Sequence, residues 1–313
     1  MHRLNYILVR LLQMIPVALG ITIVLFFVIR AIPGDPAAIR LGIRATPEGI
    51  ANLHREMGLD KPIWIQYAIF LRDVATLELG QSISYGISAA TLIKARLPVT
   101  LFLAVYATLL SILITVPAAV LAAIRKDRPA DQVIRGGSMV VLGMPQFWLG
   151  VLFLMVFSLR LGLFPVSGYG KTFADHLWHL FLPALTLSLA LAAMLVRTLR
   201  SDVIDVLRAD YVDFARAKGL GERRVMARHI LRNALIPTIT LLGLNVGYLV
   251  GGTVVVERVF AIPGMGSLML DAIFARDYVV VQAVTLCFAV LVILINLVTD
   301  LAYSFLDPRV TLG

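Results

Sequence analysis

Cysteine and charge are what this chain has least of. A single cysteine, Cys287, stands among 313 residues, inside the apolar run VTLCFAVLVILINLV. One thiol excludes a disulfide within the chain and a thiolate metal cluster, and leaves a small buried hydrophobe as its role. Charged residues make up only 15% of the chain and hydrophobic ones 59%, with a mean hydropathy of +0.90. So little polar surface excludes an ordinary soluble domain, and the expected solvent is lipid. Acids are scarcer than bases, 19 Asp and Glu against 28 Lys and Arg, for a formal charge of +9. Nucleic acid or an acidic substrate would explain that excess, but on an integral membrane protein basic residues more often record orientation in the bilayer.

Catalytic signatures are missing as well. HExxH, GxSxG and carboxylates paired for acid and base work are absent, which argues against a membrane enzyme. SGYGKT, Ser167 to Thr172, ends like a phosphate-binding P-loop, yet position 165 is proline where that loop needs glycine. HLWH sets His176 and His179 three apart, a spacing a metal could use. Beside Trp178 at a membrane interface, two polar-tipped residues more often anchor a helix. The chain therefore reads as non-catalytic, with no cofactor or metal of its own.

What it has instead is long apolar runs. A helix needs roughly 20 mostly apolar residues to cross a hydrocarbon core of about 30 Å, and six candidates lie near Leu11–Ile29, Pro98–Ile124, Ser138–Leu159, Leu182–Val196, Ala234–Val256 and Val279–Tyr303. The fourth is the shortest. The first is too long for a signal peptide and lacks a cleavage site, so it is expected to remain as an anchor. Pro16, Pro117, Pro145 and Pro237 fall in or beside these runs and predict kinks in a helix bundle. Arg125, Lys126, Arg128 and Arg135 follow the second run, and nine more Lys or Arg lie between Arg197 and Arg232, whereas the alternate short loops are poorer. Both termini and the 197–233 loop are thus expected in the cytoplasm. Residues 1–32 form a tail and first span, 33–97 an external lobe, and 98–313 the core membrane domain. Within the lobe, Thr46 as N-cap, Pro47 at N1 and Gly58 as stop predict one helix, and Pro62 opens a second.

Polar residues inside spans are costly unless they face a neighbour or water. Gln13, Tyr106, Thr115, Gln146, Asn245, Tyr248, Asn296 and Asp300 are so placed; an interhelical hydrogen bond is the plainer reading for each, and Gln146, Asn245, Tyr248 and Asn296 are the translocation-path candidates. Gly243, Gly247 and Gly251 recur every four residues, a spacing that lets a second helix approach closely.

One basic stretch stands out, DFARAKGLGERRVMARHI from Asp213 to Ile230. Ile204, Leu207, Tyr211 and Phe214 recur at helical spacing before it, as do Met226, Ile230 and Ala234 at its end and beyond. Gly219-Leu220-Gly221 interrupts them, so two striped helices are expected to meet in an elbow. Gly219 suits a left-handed C′ position, Glu222 the next helix's first turn, and Arg224, Arg228 and Arg232 an exposed face. Anionic headgroups would hold such a segment too, but would not call for the glycine pair.

This stretch resembles the cytoplasmic EAA loop of binding-protein-dependent ABC importer permeases, with Asp213, Phe214 and Ala215 at the E-A-A places and Gly219 at the glycine. It departs from the pattern in Asp for Glu, Phe for Ala and a late proline, Pro237. Further fragments are similar to the dipeptide, oligopeptide and nickel permeases: PGDP at Pro33, GLDKPIWIQY at Gly58, MPQFWLG at Met144, FPVSGYG at Phe164, VFAIPGMG at Val259, RDYVVVQ at Arg276 and FLDPR at Phe305. The resemblance implies an all-α membrane protein of the type I importer fold, the first permease subunit of its system. It also implies a second homologous permease, two ABC ATPases that alone bind ATP and Mg, and an external solute-binding protein. On it, Asp213, Ala215, Ala217, Lys218, Gly219, Leu220, Gly221, Arg223 and Arg224 would couple the pore to the ATPase. A secondary transporter or channel is the alternative, though the inverted repeat and midplane charges expected of one are not evident.

Overall fold

The computed structural model describes residues 2–31, 37, 41, 46–56 and 58–306, and everything below concerns those. The Pro33–Pro36 motif, the 307–309 end of FLDPR and the Asp300 side chain lie outside the described residues. Helices dominate: α1 (His2–Ala31), α2 (Pro47–Glu56), α3 (Ile63–Ala75), α4 (Ala89–Ile124), α5 (Pro129–Gly143), α6 (Gln146–Phe153), α7 (Phe173–Leu207), α8 (Asp210–Ala217), α9 (Glu222–Arg224), α10 (Arg232–Val259), α11 (Met265–Phe274) and α12 (Tyr278–Leu306). Two seven-residue π segments, Leu154–Arg160 and Val225–Leu231, continue α6 and join α9 to α10.

Four helices are long and apolar enough to cross a bilayer, Ala89–Ile124, Phe173–Leu207, Glu222–Val259 and Tyr278–Thr299. The expected span at Ser138–Leu159 is instead two helices, Pro129–Gly143 and Gln146–Arg160, bent by 108°. Pro145 is the cause, because it lacks the N–H that would continue α5 and is itself the N-cap of α6. In α1 the apolar described stretch is Leu12–Val28. The run that looked shortest, Leu182–Val196, lies within the 35-residue α7, roughly 52 Å at 1.5 Å per residue and well beyond the hydrocarbon core. Hydropathy counted the polar ends of α7 as loop. Its start is sealed by a capping box, in which the Asp175 N–H donates to Thr172 Oγ1 and the Thr172 N–H to the Asp175 carboxylate.

The chain divides into two compact units, residues 1–96 with 268–293, and residues 97–267 with 294–313. In the first, α1 and α3 meet through Phe26, Tyr67 and Phe70, with ring centroids 5.2–6.3 Å apart. Arg30 lies over the Phe26 ring and donates to Gln66 Oε1 at 2.9 Å. Thr46 caps α2 by accepting from the Gly49 N–H at 3.1 Å, and Gly58 follows it at φ +67. Asp277, fully buried ahead of α12, accepts from Ser82 Oγ at 2.5 Å and the Ser84 N–H at 3.0 Å.

In the second unit one apolar core joins α4, α7 and α10 around Leu103, Leu180, Leu187, Leu195 and Val256, and a second, around Leu199, Val203, Val212, Val225 and Ile230, lies between the foot of α7 and the segments after it. Two buried acids pin this unit. Asp131 at the start of α5 takes a two-pronged ion pair from Arg200 of α7, at 2.6 and 2.5 Å. Glu257 at the end of α10 accepts from Thr100 Oγ1 at 2.6 Å and the Ser267 N–H at 3.0 Å, while Thr100 Oγ1 accepts the Met265 N–H at 2.8 Å. A Cβ on Gly264 would run into the Glu257 carboxylate and one on Gly266 into the Val254 backbone, so those glycines are what allow the loop to wrap the end of α10. Glu257→Ala would strand Thr100 and the Ser267 amide and is expected to cost about 3 kcal/mol. Thermal unfolding of the purified protein checks this: Glu257→Ala should lower Tm clearly and Glu257→Gln by less, and an unchanged Tm for Glu257→Ala would show that the carboxylate does not hold the loop.

Candidate functional site

The elbow is built as its glycines require. After α8, Gly219 adopts φ +77, its N–H donates to the Arg216 carbonyl at 2.8 Å, and the Leu220 N–H reaches back to the Ala215 carbonyl at 3.3 Å. That pair of bonds is a Schellman turn, which satisfies carbonyls the helix end leaves open. Arg216 then locks the corner, donating to Glu222 at 2.9 Å and to Asp213 at 3.3 Å. The Glu222 bond is the chief reason the guanidinium is held even more firmly protonated than usual. Across the bend, Asn233 Nδ2 donates to the Tyr211 hydroxyl at 3.0 Å.

Burial divides the predicted coupling residues in two. Ala215 is 5% exposed and packs with Val212, Val225 and Ile230 beneath the foot of α7. Leu220 packs at the edge of the same cluster. Asp213, Ala217, Lys218, Gly219, Gly221, Arg223 and Arg224 are exposed, as are Arg228 and Arg232. The apolar stripe read from Tyr211 and Phe214 is displaced by one residue: Val212 and Ala215 are its buried members, and Phe214 is 62% exposed with Lys218 Nζ 4.5 Å from its ring centroid. Helical periodicity in eight residues carries too little phase to tell these faces apart. The outer face thus presents an aromatic ring, a lysine and a glycine turn on a stiff support.

Of the path candidates, Gln146, Asn245 and Tyr248 line one cavity of about 360 Å3 between α5, α6, α7 and α10, with Leu142, Met194 and Gly252 among its other walls. Asn245 Nδ2 bonds back to the Leu241 carbonyl at 2.8 Å, and Tyr248 is 83% exposed. Asn296 is exposed on α12 and is not among the lining residues. Thr115 is buried, and the interhelical bond expected of its Oγ1 is not made among the described residues. The glycine series divides too. Gly243 packs directly on Thr299 of α12, Gly251 faces open space, and Gly252, outside the series, lies against Gln146. The two histidines act as helix anchors: His176 Nδ1 donates to the Tyr169 carbonyl at 2.7 Å and His179 Nδ1 to the Asp175 carbonyl at 2.8 Å. Among the described residues no group of three or more His, Cys, Asp or Glu is arranged to hold a metal.

Sequence reasoning missed Glu257, Asp131 and Asp277. Each was an acid in or beside a loop, and nothing in its neighbours along the chain names the Thr, Arg or Ser that meets it from up to 195 positions away.

The family described as binding-protein-dependent transport system inner membrane component matches residues 115–312. The chain belongs to this family of ABC importer permeases. A companion N-terminal membrane component family matches residues 3–104. The oligopeptide transport system permease protein AppB of Bacillus subtilis (strain 168) is 41% identical over 311 residues, 97% of this chain and 98% of that one. A glutathione transport system permease protein, GsiC of Salmonella choleraesuis (strain SC-B67), is 38% identical, covering 98% and 99%. A dipeptide transport system permease protein, DppB of Alkalihalophilus pseudofirmus, is 36% identical with the same coverage. Among solved structures, an inward-facing MetNI methionine ABC transporter chain shares the fold, with TM-score 0.57 and 16% identity, over 69% of this permease and 96% of that chain. The permease is thus a multi-pass inner-membrane transport component that works with an ATPase and a substrate-binding component.

A Cβ on Gly252 would sit 3.0 Å from Gln146 Oε1 and 3.4 Å from Leu187 Cδ2, whereas one on Gly251 meets nothing within 4 Å. Gly252→Val in the purified permease is expected to overpack the cavity wall and cost about 2 kcal/mol, with Gly251→Val close to wild type. Thermal unfolding compares the two, and equal Tm values would mean that α6 does not close on α10.

Proposed function

We propose that this permease forms half of the path by which an ATP-driven importer brings peptides into the cell, and that the elbow at 213–230 receives the force. The observation that carries the reading is the elbow itself, a stiff Schellman corner whose exposed face offers Phe214, Lys218 and Gly219 and whose buried face is continuous with the foot of α7. A ring seated in a groove of a partner ATPase supplies the desolvated anchor that interfaces use. Because Val212, Ala215, Val225 and Ile230 share one core with Leu199 and Val203, a push on the elbow would move α7 as a rigid body rather than dissipate in a loop. Charge adds steering more than grip, since Arg223, Arg224 and Arg228 are all solvated.

The remaining parts follow the same reading. A second, homologous permease supplies the other half of the path, two ATPases bind ATP and Mg, and an external solute-binding protein delivers cargo to the 33–97 lobe. In this reading both termini lie in the cytoplasm, which the Lys and Arg of the 125–135 and 197–232 loops support. Gln146, Asn245 and Tyr248 line the path between α5, α6, α7 and α10. Peptides are the favoured cargo because relatives of nearly equal length carry oligopeptide, dipeptide and glutathione names; nickel and opines are the other cargoes considered.

Phe214→Ala in the complete complex is expected to weaken ATPase association roughly 30-fold, the scale of a hot spot of about 2 kcal/mol, and to abolish ATP-dependent uptake of labelled trialanine while leaving the permease in the membrane. Gly219→Val, which forces a β-branched residue to positive φ, should do the same. Wild-type uptake by both variants would sink the coupling assignment, and uptake by the permease without any ATPase would favour a secondary transporter.

A further inference from the structure

Leu142 is shared between the cavity of Gln146 and a second, larger one of about 730 Å3 at the basic end of α5 and α7. That volume is within the range of about 300–1,000 Å3 typical of small-molecule sites. Four cations line it, Lys126, Arg135, Arg197 and Arg200. Arg200 is already spent on the buried Asp131 carboxylate. Lys126, from the turn after α4, Arg135 of α5 and Arg197 of α7 have no ion-pair partner within 4 Å among the described residues. Two acids line it too. Asp127 stands in the turn at φ +64; Asp202, a turn and a half below Arg197 on α7, has a buried Oδ2 with no hydrogen-bond partner among the described residues. Ser138 and Ser201 add hydroxyls.

This is an unusual balance for a surface made basic only by its orientation. Positive charge left unpaired on three elements invites an anion, while Asp202, a carboxylate lining the same space whose buried Oδ2 has no donor among the described residues, invites a cation, since a buried acceptor without a donor is costly. One small molecule satisfies both if it carries a carboxylate at one end and an ammonium at the other. We infer that this cavity is an exit site for a zwitterionic solute, Arg135, Arg197 and Lys126 receiving its carboxylate and Asp202 its ammonium group, as it leaves the Gln146 cavity for the cytoplasm. The inference rests on the peptide-import reading and deepens it. A bare divalent cation would meet three unpaired positive charges here, so the cavity selects against metal-ion cargo.

The test uses the complex of this permease with its partner subunits in phosphatidylcholine nanodiscs, without binding protein, and saturation-transfer NMR with trialanine as probe. Trialanine is expected to bind, with Arg135→Gln plus Arg197→Gln, or Asp202→Asn alone, weakening it about tenfold, the scale of one charge-assisted hydrogen bond. Trialaninamide should bind weakly to wild type and be indifferent to the arginine changes, and Lys171→Gln, outside the cavity, should change nothing. Equal binding of trialanine to wild type and all variants overturns the inference, as does equal binding of the amide. Displacement of trialanine when a third of the lipid is replaced by phosphatidylglycerol overturns it also, assigning the cavity to a headgroup. Co-purification with the ATPase verifies that the variants are assembled. Uptake separates the two readings: a complete system that imports trialanine but does not bind it here loses only the exit site, while one that imports no peptide loses the peptide reading itself.

Discussion

Lipid offers no hydrogen bonds, and the whole arrangement depends on that. Each polar group along the spans must find its partner inside the protein or reach an edge where water waits. Among the described residues one device recurs, a buried acid met by a donor from far along the sequence. Asp131 is held by Arg200, Glu257 by Thr100 and the Ser267 amide, and Asp277 by Ser82 and the Ser84 amide. Removing one partner from such a set leaves a buried charge unpaired, so the sets fix which segments may be neighbours and in what register.

The same constraint explains where irregular backbone is found. Pro145 breaks the third expected span where the freed end lies beside a cavity, and the loop after α10 wraps the Glu257 carboxylate. The π segments lie where α6 ends and where the elbow enters α10. The elbow is the solvent-exposed counterpart. There Arg223, Arg224 and Arg228 are exposed, and rigidity comes from the Schellman turn and from Arg216 between Asp213 and Glu222. A rigid corner rooted in the core beneath α7 is what a force-receiving element needs, whichever partner supplies the force.

Helix approach around α10 is a matter of small residues meeting polar ones. Gly252 lets Gln146 approach α10, and Gly243 lets Thr299 approach the same helix from α12. The regular four-residue glycine spacing suggested a single seam; the structure divides it between a packed contact at Gly243 and open space at Gly251. Spacing along a helix says which residues share a face, but not what stands opposite that face.

By itself the sequence determined the solvent, the helical class, the positions of most spans, the caps at Thr46 and Gly58 and the turn at Gly219, because these depend on hydropathy and on backbone preferences acting over a few residues. It also carried the family, through motifs spread over nearly the full length. Only the tertiary structure decided that Ala215 faces inward and Phe214 outward, that Gln146, Asn245 and Tyr248 share a cavity without Asn296, and that Asp131, Glu257 and Asp277 are buried with partners. The reason is that burial and pairing are set by what another segment brings to the same place, and separations of 69, 157 and 195 residues leave no trace in the local pattern on either side.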